Sequence, residues 1–231
     1  MSVVHDYTGH WDEKFSSRAW GRYPPEDLVR FMGRRFRDAD RKLVRVLEVG
    51  CGPGANIWFL HREGYAVHGI DISQTAIDLA AARLATENIG LHSPAADLRV
   101  GNFSNLPWPE AHFDVVVDVF ALYANTLDVI SQALSEIDRV LKSGGLLYTK
   151  LWGTHTTGFG QGLALEPGTF DAIRTGPCAS MGVTHFFTRE EIKTVFGKFF
   201  QPIAVDLVLR EDSTATQQIE EFHCQFVKRA R

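Results

Sequence analysis

Between Val46 and Asp71 the chain sets glycines and carboxylates at a spacing that can hold a nucleoside. Glu48 stands two residues before Gly50, the run Gly50-Cys51-Gly52-Pro53-Gly54 forms a G-x-G-x-G turn, and Asp71 follows seventeen residues after Gly54. Glycines let a backbone turn tightly and approach a ligand closely. A carboxylate at the end of the next strand can accept hydrogen bonds from both ribose hydroxyls. Dinucleotide sites share this outline, so charge must separate the two. Pyrophosphate is bound by bare amides at a helix N-terminus, and Glu48 would repel it. A cofactor carrying a sulfonium and an ammonium tolerates that acid, and the glycine spacing differs from G-x-G-x-x-G.

The elements that must position these residues follow from apolar periodicity. Arg45–Val49 is a short β-branched run expected to be a buried strand, and Ile57, Trp58, Leu60 and His61 recur at helical spacing after the turn. A second strand over residues 66–70, a helix over 74–87, a third strand near Asp97–Val100 and a fourth over 115–119 follow in order. A helix over 127–141 ends at Lys142-Ser143-Gly144-Gly145 and leads into a fifth strand over 146–151. Pro24-Pro25-Glu26 opens an earlier helix, Thr188-Arg189-Glu190-Glu191 is a capping box for one reaching residue 199, and 203–209 and 219–227 read as terminal strands. The alternation predicts an α/β fold with a doubly wound, Rossmann-like, mostly parallel sheet.

With Glu48, the glycine turn, Asp71, Leu106-Pro107-Trp108 and His112-Phe113-Asp114, residues 43–151 resemble the class I S-adenosylmethionine-dependent methyltransferases, and among them the type-11 family. The resemblance implies that Glu48, Gly50, Cys51 and Gly52 line the methionine end of S-adenosylmethionine, Asp71 holds the ribose and Ile72 packs on the adenine. Asn102 and Phe103 fall where the family shows Gly-Asp and a small or apolar residue. Asn102 departs from that pattern, but an amide still offers a donor and an acceptor to the adenine edge. Asp118 and the residues to Ala121 would lie beside the transferable methyl. The family's seven-stranded order, 3-2-1-4-5-7-6 with an antiparallel seventh strand, would place the terminal strands as an edge hairpin. A single domain is expected, with a helical lid over residues 1–42, the cofactor core over 43–151, an acceptor-covering insertion over 152–183 and a helix with hairpin over 184–231.

Two segments outside the core bear on the acceptor. Residues 7–23 interleave Trp11, Phe15, Trp20 and Tyr23 with Arg18 and Arg22. They either pack on the core or form a lid in which Arg22 and Tyr23 touch the cofactor, an arginine pairing its carboxylate. Residues 152–183 carry seven glycines with His155, Glu166 and Phe170, too long a stretch for a plain connection. Methyl transfer from a sulfonium is an in-line displacement, so alignment and exclusion of water matter most. A hydroxyl acceptor also benefits from a base, for which His155 and His185 are candidates, with Asp118 and Tyr123 as polar alternatives.

Composition narrows the partners. The net charge is -4, and the densest basic run, Arg34-Arg35-Phe36-Arg37, is followed by Asp38 and Asp40, so nucleic acid is not the expected partner. The fourth strand lacks the Asn/Asp-Pro-Pro-aromatic run of nucleobase methyltransferases. Cys51, Cys178 and Cys224 have neither disulfide nor zinc spacing, which reads as metal-free and cytoplasmic. No leader or membrane-spanning run is read. Trp11-Asp12-Glu13-Lys14 and Trp20-Gly21-Arg22-Tyr23-Pro24-Pro25 also resemble methyltransferases of bacterial surface-glycan and secondary-metabolite pathways. A small-molecule or sugar-like acceptor is therefore expected, with O-methylation ahead of N-methylation. An NAD(P)-dependent oxidoreductase and a non-catalytic S-adenosylmethionine-binding partner protein are the alternatives.

Overall fold

The β-branched runs pair into one sheet because their alternating side chains bury on both faces between helices. In the computed structural model, which describes residues 8–87, 94–211 and 217–229, the chain runs α1 (Thr8–Ser17), α2 (Glu26–Arg35), β1 (Arg45–Val49), α3 (Ala55–Arg62), β2 (Ala66–Asp71), α4 (Gln74–Thr86) and β3 (Asp97–Val100). It continues through β4 (Phe113–Val119), α5 (Leu127–Val140), β5 (Leu141–Trp152), β6 (Leu163–Glu166), β7 (Thr169–Asp171), β8 (Thr184–His185), α6 (Arg189–Phe196), β9 (Phe200–Glu211) and β10 (Gln218–Lys228). Residues 1–7, including Tyr7 of the expected lid, lie outside the described residues.

The main sheet has the order β3-β2-β1-β4-β5-β10-β9. β1, β2, β3, β4 and β5 pair in parallel, whereas β10 runs antiparallel to both β5 and β9. With β9 and β10 counted as the sixth and seventh strands of the sheet, this is the expected 3-2-1-4-5-7-6. One core packs α2 and α3 on the sheet through Leu28, Phe31, Met32, Ile57 and Tyr148. The other packs α5 and α6 through Ile130, Leu134, Ile137, Ile192 and Phe196. Because parallel strands join by helical crossovers, the carboxyl ends of β1, β2, β4 and β5 share one edge, where such sheets bind ligands.

Several elements differ from the sequence reading. β5 begins at Leu141, so residues 142–145, read as the end of the preceding helix, belong to the strand. The glycine-rich segment after β5, with Thr184–His185, forms a second sheet ordered β6-β7-β8. Its strands are two to four residues long, too short to show alternation. The helix after the capping box ends at Phe196 rather than near residue 199, where Gly197 N–H closes the last turn on Lys193 O.

Candidate active site at the carboxyl edge of the sheet

The glycine turn threads between the exit of β4 and the start of α4. Gly50, Gly52 and Gly54 have φ of 63°, 49° and 80°, the left-handed region that side chains resist. A Cβ on Gly50 would overlap that of Ala121, and one on Gly54 would sit 2.8 Å from the Cβ of Ala80. Cys51 is buried, its amide donating to Ile70 O at 3.1 Å.

Beneath the turn, Glu48 is buried and accepts from Asn56 Nδ2 at 2.7 Å through Oε1. Its Oε2 and Asn56 Oδ1 are buried without a hydrogen-bond partner. Burial pushes the Glu48 carboxyl up to about 8; the Asn56 hydrogen bond opposes this, and the charges of Asp118 and Asp71 add to it. Asp71, also buried, accepts from Gly52 N at 2.8 Å and from Ser73 N at 2.9 Å. Burial raises its carboxyl and these amides pull it back. The turn thus gathers Glu48, Gly50, Cys51, Gly52 and Asp71 in one place, with half-buried Ile72 beside them. With Glu48 ionised, Oε2 and Asn56 Oδ1 are two buried acceptors without a partner, and a donor-rich, cationic group suits them, since leaving them unpaired costs about 1–3 kcal/mol each. The ammonium of S-adenosylmethionine is such a partner, so the residues present fit that group.

Helix α1 lies across this turn. Phe15 ring atoms come within 3.5 Å of the place a Gly52 Cβ would take. Asp12 Oδ1 accepts from Ser73 Oγ at 2.5 Å and from Thr75 N at 3.1 Å, latching α1 to the start of α4. Trp11 stacks on Phe15 at 5.6 Å and Trp20 tilts against it at 4.9 Å. Arg22 and Tyr23, expected at the cofactor, are placed elsewhere. Arg22 Nη2 pairs with Glu87 Oε1 at 2.9 Å, and Tyr23, 72% exposed, meets Trp58 edge-on at 5.7 Å. The far end of α4 captures both, because Glu87 and the Trp58–Arg83 stack supply the partners. Phe15 was named from sequence in the aromatic N-terminal segment and Asp12 in the Trp11-Asp12-Glu13-Lys14 run, neither with these contacts assigned. Asn56 was not singled out, although it is a polar residue in the first turn after the glycines.

Asn102 accepts from Ser104 N at 2.9 Å and Ser104 Oγ at 2.8 Å through Oδ1 and is exposed. It closes an Asx-type turn, leaving its amide nitrogen toward solvent. Phe103 is half-buried against the core, its ring 4.0 Å from the place of a Gly50 Cβ.

At the exit of β4 the base candidates separate. Asp118 is fully buried and accepts from Ala121 N at 2.9 Å, Leu122 N at 3.0 Å and Thr149 Oγ1 at 2.5 Å. Burial pushes its carboxyl up to about 6, against these hydrogen bonds. Both oxygens are engaged in folding the turn, so Asp118 does not face an acceptor. His185 is equally unavailable. It is fully buried, with Nδ1 on Thr169 Oγ1 at 2.6 Å and Nε2 on Glu191 Oε2 at 3.1 Å, tying the small sheet to α6. His155 instead lies on the surface, with Nδ1 3.0 Å from Glu220 Oε2. Tyr123 is buried against Phe120 and Trp152, and burial pushes its phenol well up. Phe120 stacks on Trp152 at 4.1 Å with φ of 59°, a strained backbone for an aromatic residue. Among the described residues no group of three or more His, Cys, Asp or Glu could hold a metal ion, and no helix is long and apolar enough to cross a membrane.

Comparison with known proteins agrees with this geometry. Residues 46–145 match the family described as "Methyltransferase domain". The chain is 28% identical over 159 residues to tRNA N(3)-cytidine methyltransferase METTL2B of Homo sapiens, covering 66% of this chain and 40% of that protein. It is 34% identical over 131 residues to phthiotriol/phenolphthiotriol dimycocerosates methyltransferase 1 of Mycobacterium ulcerans, covering 55% of this chain and 45% of that protein. The chain thus spans less than half the length of these curated relatives. Among solved structures, a SAM-dependent methyltransferase of Methanosarcina mazei superposes with a TM-score of 0.68 at 26% identity, covering 81% of this chain and 93% of that one. Residues 46–145 thus form a methyltransferase domain, carried on the class I S-adenosylmethionine-dependent methyltransferase fold. S-adenosylmethionine is accordingly the cofactor of its domain.

Proposed function

We propose that the protein transfers a methyl group from S-adenosylmethionine to a small-molecule or sugar-like acceptor in the cytoplasm, with oxygen ahead of nitrogen as the nucleophile. The observation that carries this reading is the pair of orphaned acceptors, Glu48 Oε2 and Asn56 Oδ1, under a left-handed glycine turn and beside Asp71. Bound there, the cofactor supplies an electrophilic methyl on a positive sulfur. The chain's own residues do the rest. Glu48 and Asn56 accept from the ammonium, Asp71 uses its remaining lone pairs on the ribose, and α1 closes over the turn through Phe15 and the Asp12 latch, excluding water. Phe120, Tyr123 and Trp152 wall the mouth where β4 and β5 end, and the small sheet of residues 163–185 supports its cover.

The acceptors named for the relatives differ, tRNA for one and a phthiotriol lipid for another, so similarity does not choose among them. The net charge of -4 favours a small acceptor over a polyanion. Calorimetry with S-adenosylhomocysteine, followed by labelled-methyl transfer to a panel of alcohols, phenols, sugars and amines, tests the proposal. Saturable binding with transfer to a hydroxyl is expected. Absence of binding by folded protein would remove the cofactor reading and everything built on it.

A further inference from the structure

Three residues past the end of β5, a turn is stapled onto the start of β10 in a way that plain chain reversal does not require. Gly153 N and Thr156 Oγ1 both donate to Glu220 O, at 2.8 and 2.9 Å, and Glu220 N donates back to Thr156 Oγ1 at 3.0 Å. Those bonds already hold the turn. Yet the Glu220 side chain also folds in and is buried, occupying the space a Cβ on Gly153 would need. Its Oε2 accepts twice from His155, from the backbone N at 2.8 Å and from ring Nδ1 at 3.0 Å. The His155 side chain is otherwise 70% exposed.

A carboxylate can only accept, so Nδ1 carries a proton, and in the neutral ring Nε2 is then the nitrogen left as an acceptor. The ring sits at the carboxyl edge of the sheet. Three residues span at most about 10 Å, so His155 lies no farther than that along the chain from Trp152, which stacks on Phe120. His185 has both ring nitrogens engaged, and Asp118 is fully buried with both carboxylate oxygens hydrogen-bonded, so neither is placed to compete with it.

We infer that His155, with its tautomer fixed by Glu220, is the general base for a hydroxyl-bearing acceptor. This inference rests on the methyl-transfer reading above and narrows its acceptor to an alcohol or phenol. In the step, the acceptor oxygen forms a bond to the methyl carbon as the carbon–sulfur bond breaks, and sulfur keeps the electron pair. The hydroxyl proton passes to His155 Nε2 and then to solvent. The products are a methyl ether, S-adenosylhomocysteine and a proton. His155 touches the acceptor, whereas Glu220 acts through His155 and is a positioning residue.

A purely structural role makes different demands. Capping the turn needs only the His155 backbone N–H, which survives in His155→Ala and which the amide oxygen of Glu220→Gln can still accept. The test measures three things on the full chain. Nitrogen-15 NMR of the ligand-free protein should show His155 protonated at Nδ1, and Glu220→Gln should shift that tautomer balance. Melting temperature and S-adenosylhomocysteine affinity should be unchanged in His155→Ala. Turnover of the best hydroxyl acceptor from the panel should fall in kcat by roughly a hundredfold or more in that variant. KM should change little, and free imidazole should restore part of the rate. Protonation at Nε2 in the parent, undiminished kcat in His155→Ala, or transfer to amines alone would overturn the inference, as would transfer to no hydroxyl by protein that still binds S-adenosylhomocysteine. Loss of that binding in the parent would count against the methyltransferase reading itself.

Discussion

The glycine turn under α1 and the small sheet after β5 are both tightly built, but they treat polar groups in opposite ways. In the small sheet, Cβ atoms on Gly162 and Gly176 would overlap the carbonyl oxygens of Asp171 and Thr157, so that segment is folded as firmly as the turn. Its polar side chains satisfy one another. Glu166 Oε1 accepts from Thr169 Oγ1 at 2.9 Å and from Leu127 N at 2.7 Å, and His185 closes the chain on Thr169 and Glu191. Around the turn, Glu48 Oε2 and Asn56 Oδ1 are buried and unpaired. His10 Nε2, His68 Nδ1 and Trp152 Nε1 are also unpaired, but among the described residues only at the turn do two unpaired acceptors lie under left-handed glycines and beside Asp71, where a cationic partner would recover the cost of leaving them open.

The comparison breaks first at Gly50. Gly50→Ala combines left-handed strain with overlap on Ala121, and a loss of about 2–5 kcal/mol in urea unfolding is expected. Gly144→Ala, with φ of 73° but open space around it, should lose only about 1–2 kcal/mol. Equal losses would mean that the turn is no tighter than an exposed one.

Next comes Asp71→Ala. Removing hydrogen bonds to a charged acceptor should weaken S-adenosylhomocysteine binding roughly ten- to hundredfold by calorimetry. Gly52 N and Ser73 N lose their acceptor at the same time, so stability should also fall by about 1–3 kcal/mol. Unchanged affinity in a folded variant would take Asp71 out of the cofactor site.

The fold and the geometry of the glycine turn with Asp71 were legible in the sequence for the same reason. Strand β1, the glycine turn and Asp71 act through backbone conformation and local spacing, which sequence records directly. The expected strand order also holds, because a doubly wound parallel sheet with a terminal hairpin leaves few arrangements. The acceptor side depends on contacts between residues far apart in the chain. Glu220 lies 65 residues from His155, and Asp12 lies 61 from Ser73. No local pattern announces such pairs, so His185 and Asp118 looked as available as His155 until their neighbours were in place. Arg22 and Tyr23 misled similarly, since an Arg-aromatic run reads alike whether it faces a ligand or Trp58.

Glu48 gives the comparison a pH dependence. Its carboxyl is raised by burial to about 8, so the ligand-free folded state binds a proton there that the unfolded chain has released. Stability is then fully present below the ordinary glutamate value of 4.5 and is lost as pH rises through about 8. In Glu48→Gln that fall should vanish between about pH 6 and 8, where the slope for one proton is at most about 1.4 kcal/mol per pH unit. Asp118, raised to about 6, has the same sign but titrates in both proteins. Thermal melts across this range decide it. A parallel decline in parent and variant would place the titrating group elsewhere.

The smallest effect expected is at the latch, where two halves of the N-terminal segment are predicted to behave differently. Asp12 holds α1 to Ser73 and Thr75, directly beside the amide that Asp71 accepts, whereas Arg22 pairs with Glu87 at the opposite end of α4. If α1 is a lid, Asp12→Ala should raise the S-adenosylhomocysteine dissociation constant roughly threefold to tenfold, the worth of about one net hydrogen bond. It should also speed proteolytic cutting before Pro24 in the ligand-free protein, with ligand restoring resistance. Arg22→Ala should leave affinity unchanged, because its ion pair is exposed and worth under about 1 kcal/mol. If instead α1 only packs on the core, Asp12→Ala lowers the ligand-free melting temperature and leaves affinity alone, and ligand gives no protection. That outcome would keep the orphaned acceptors as the mark of the site but leave the closing element to be found elsewhere in the chain.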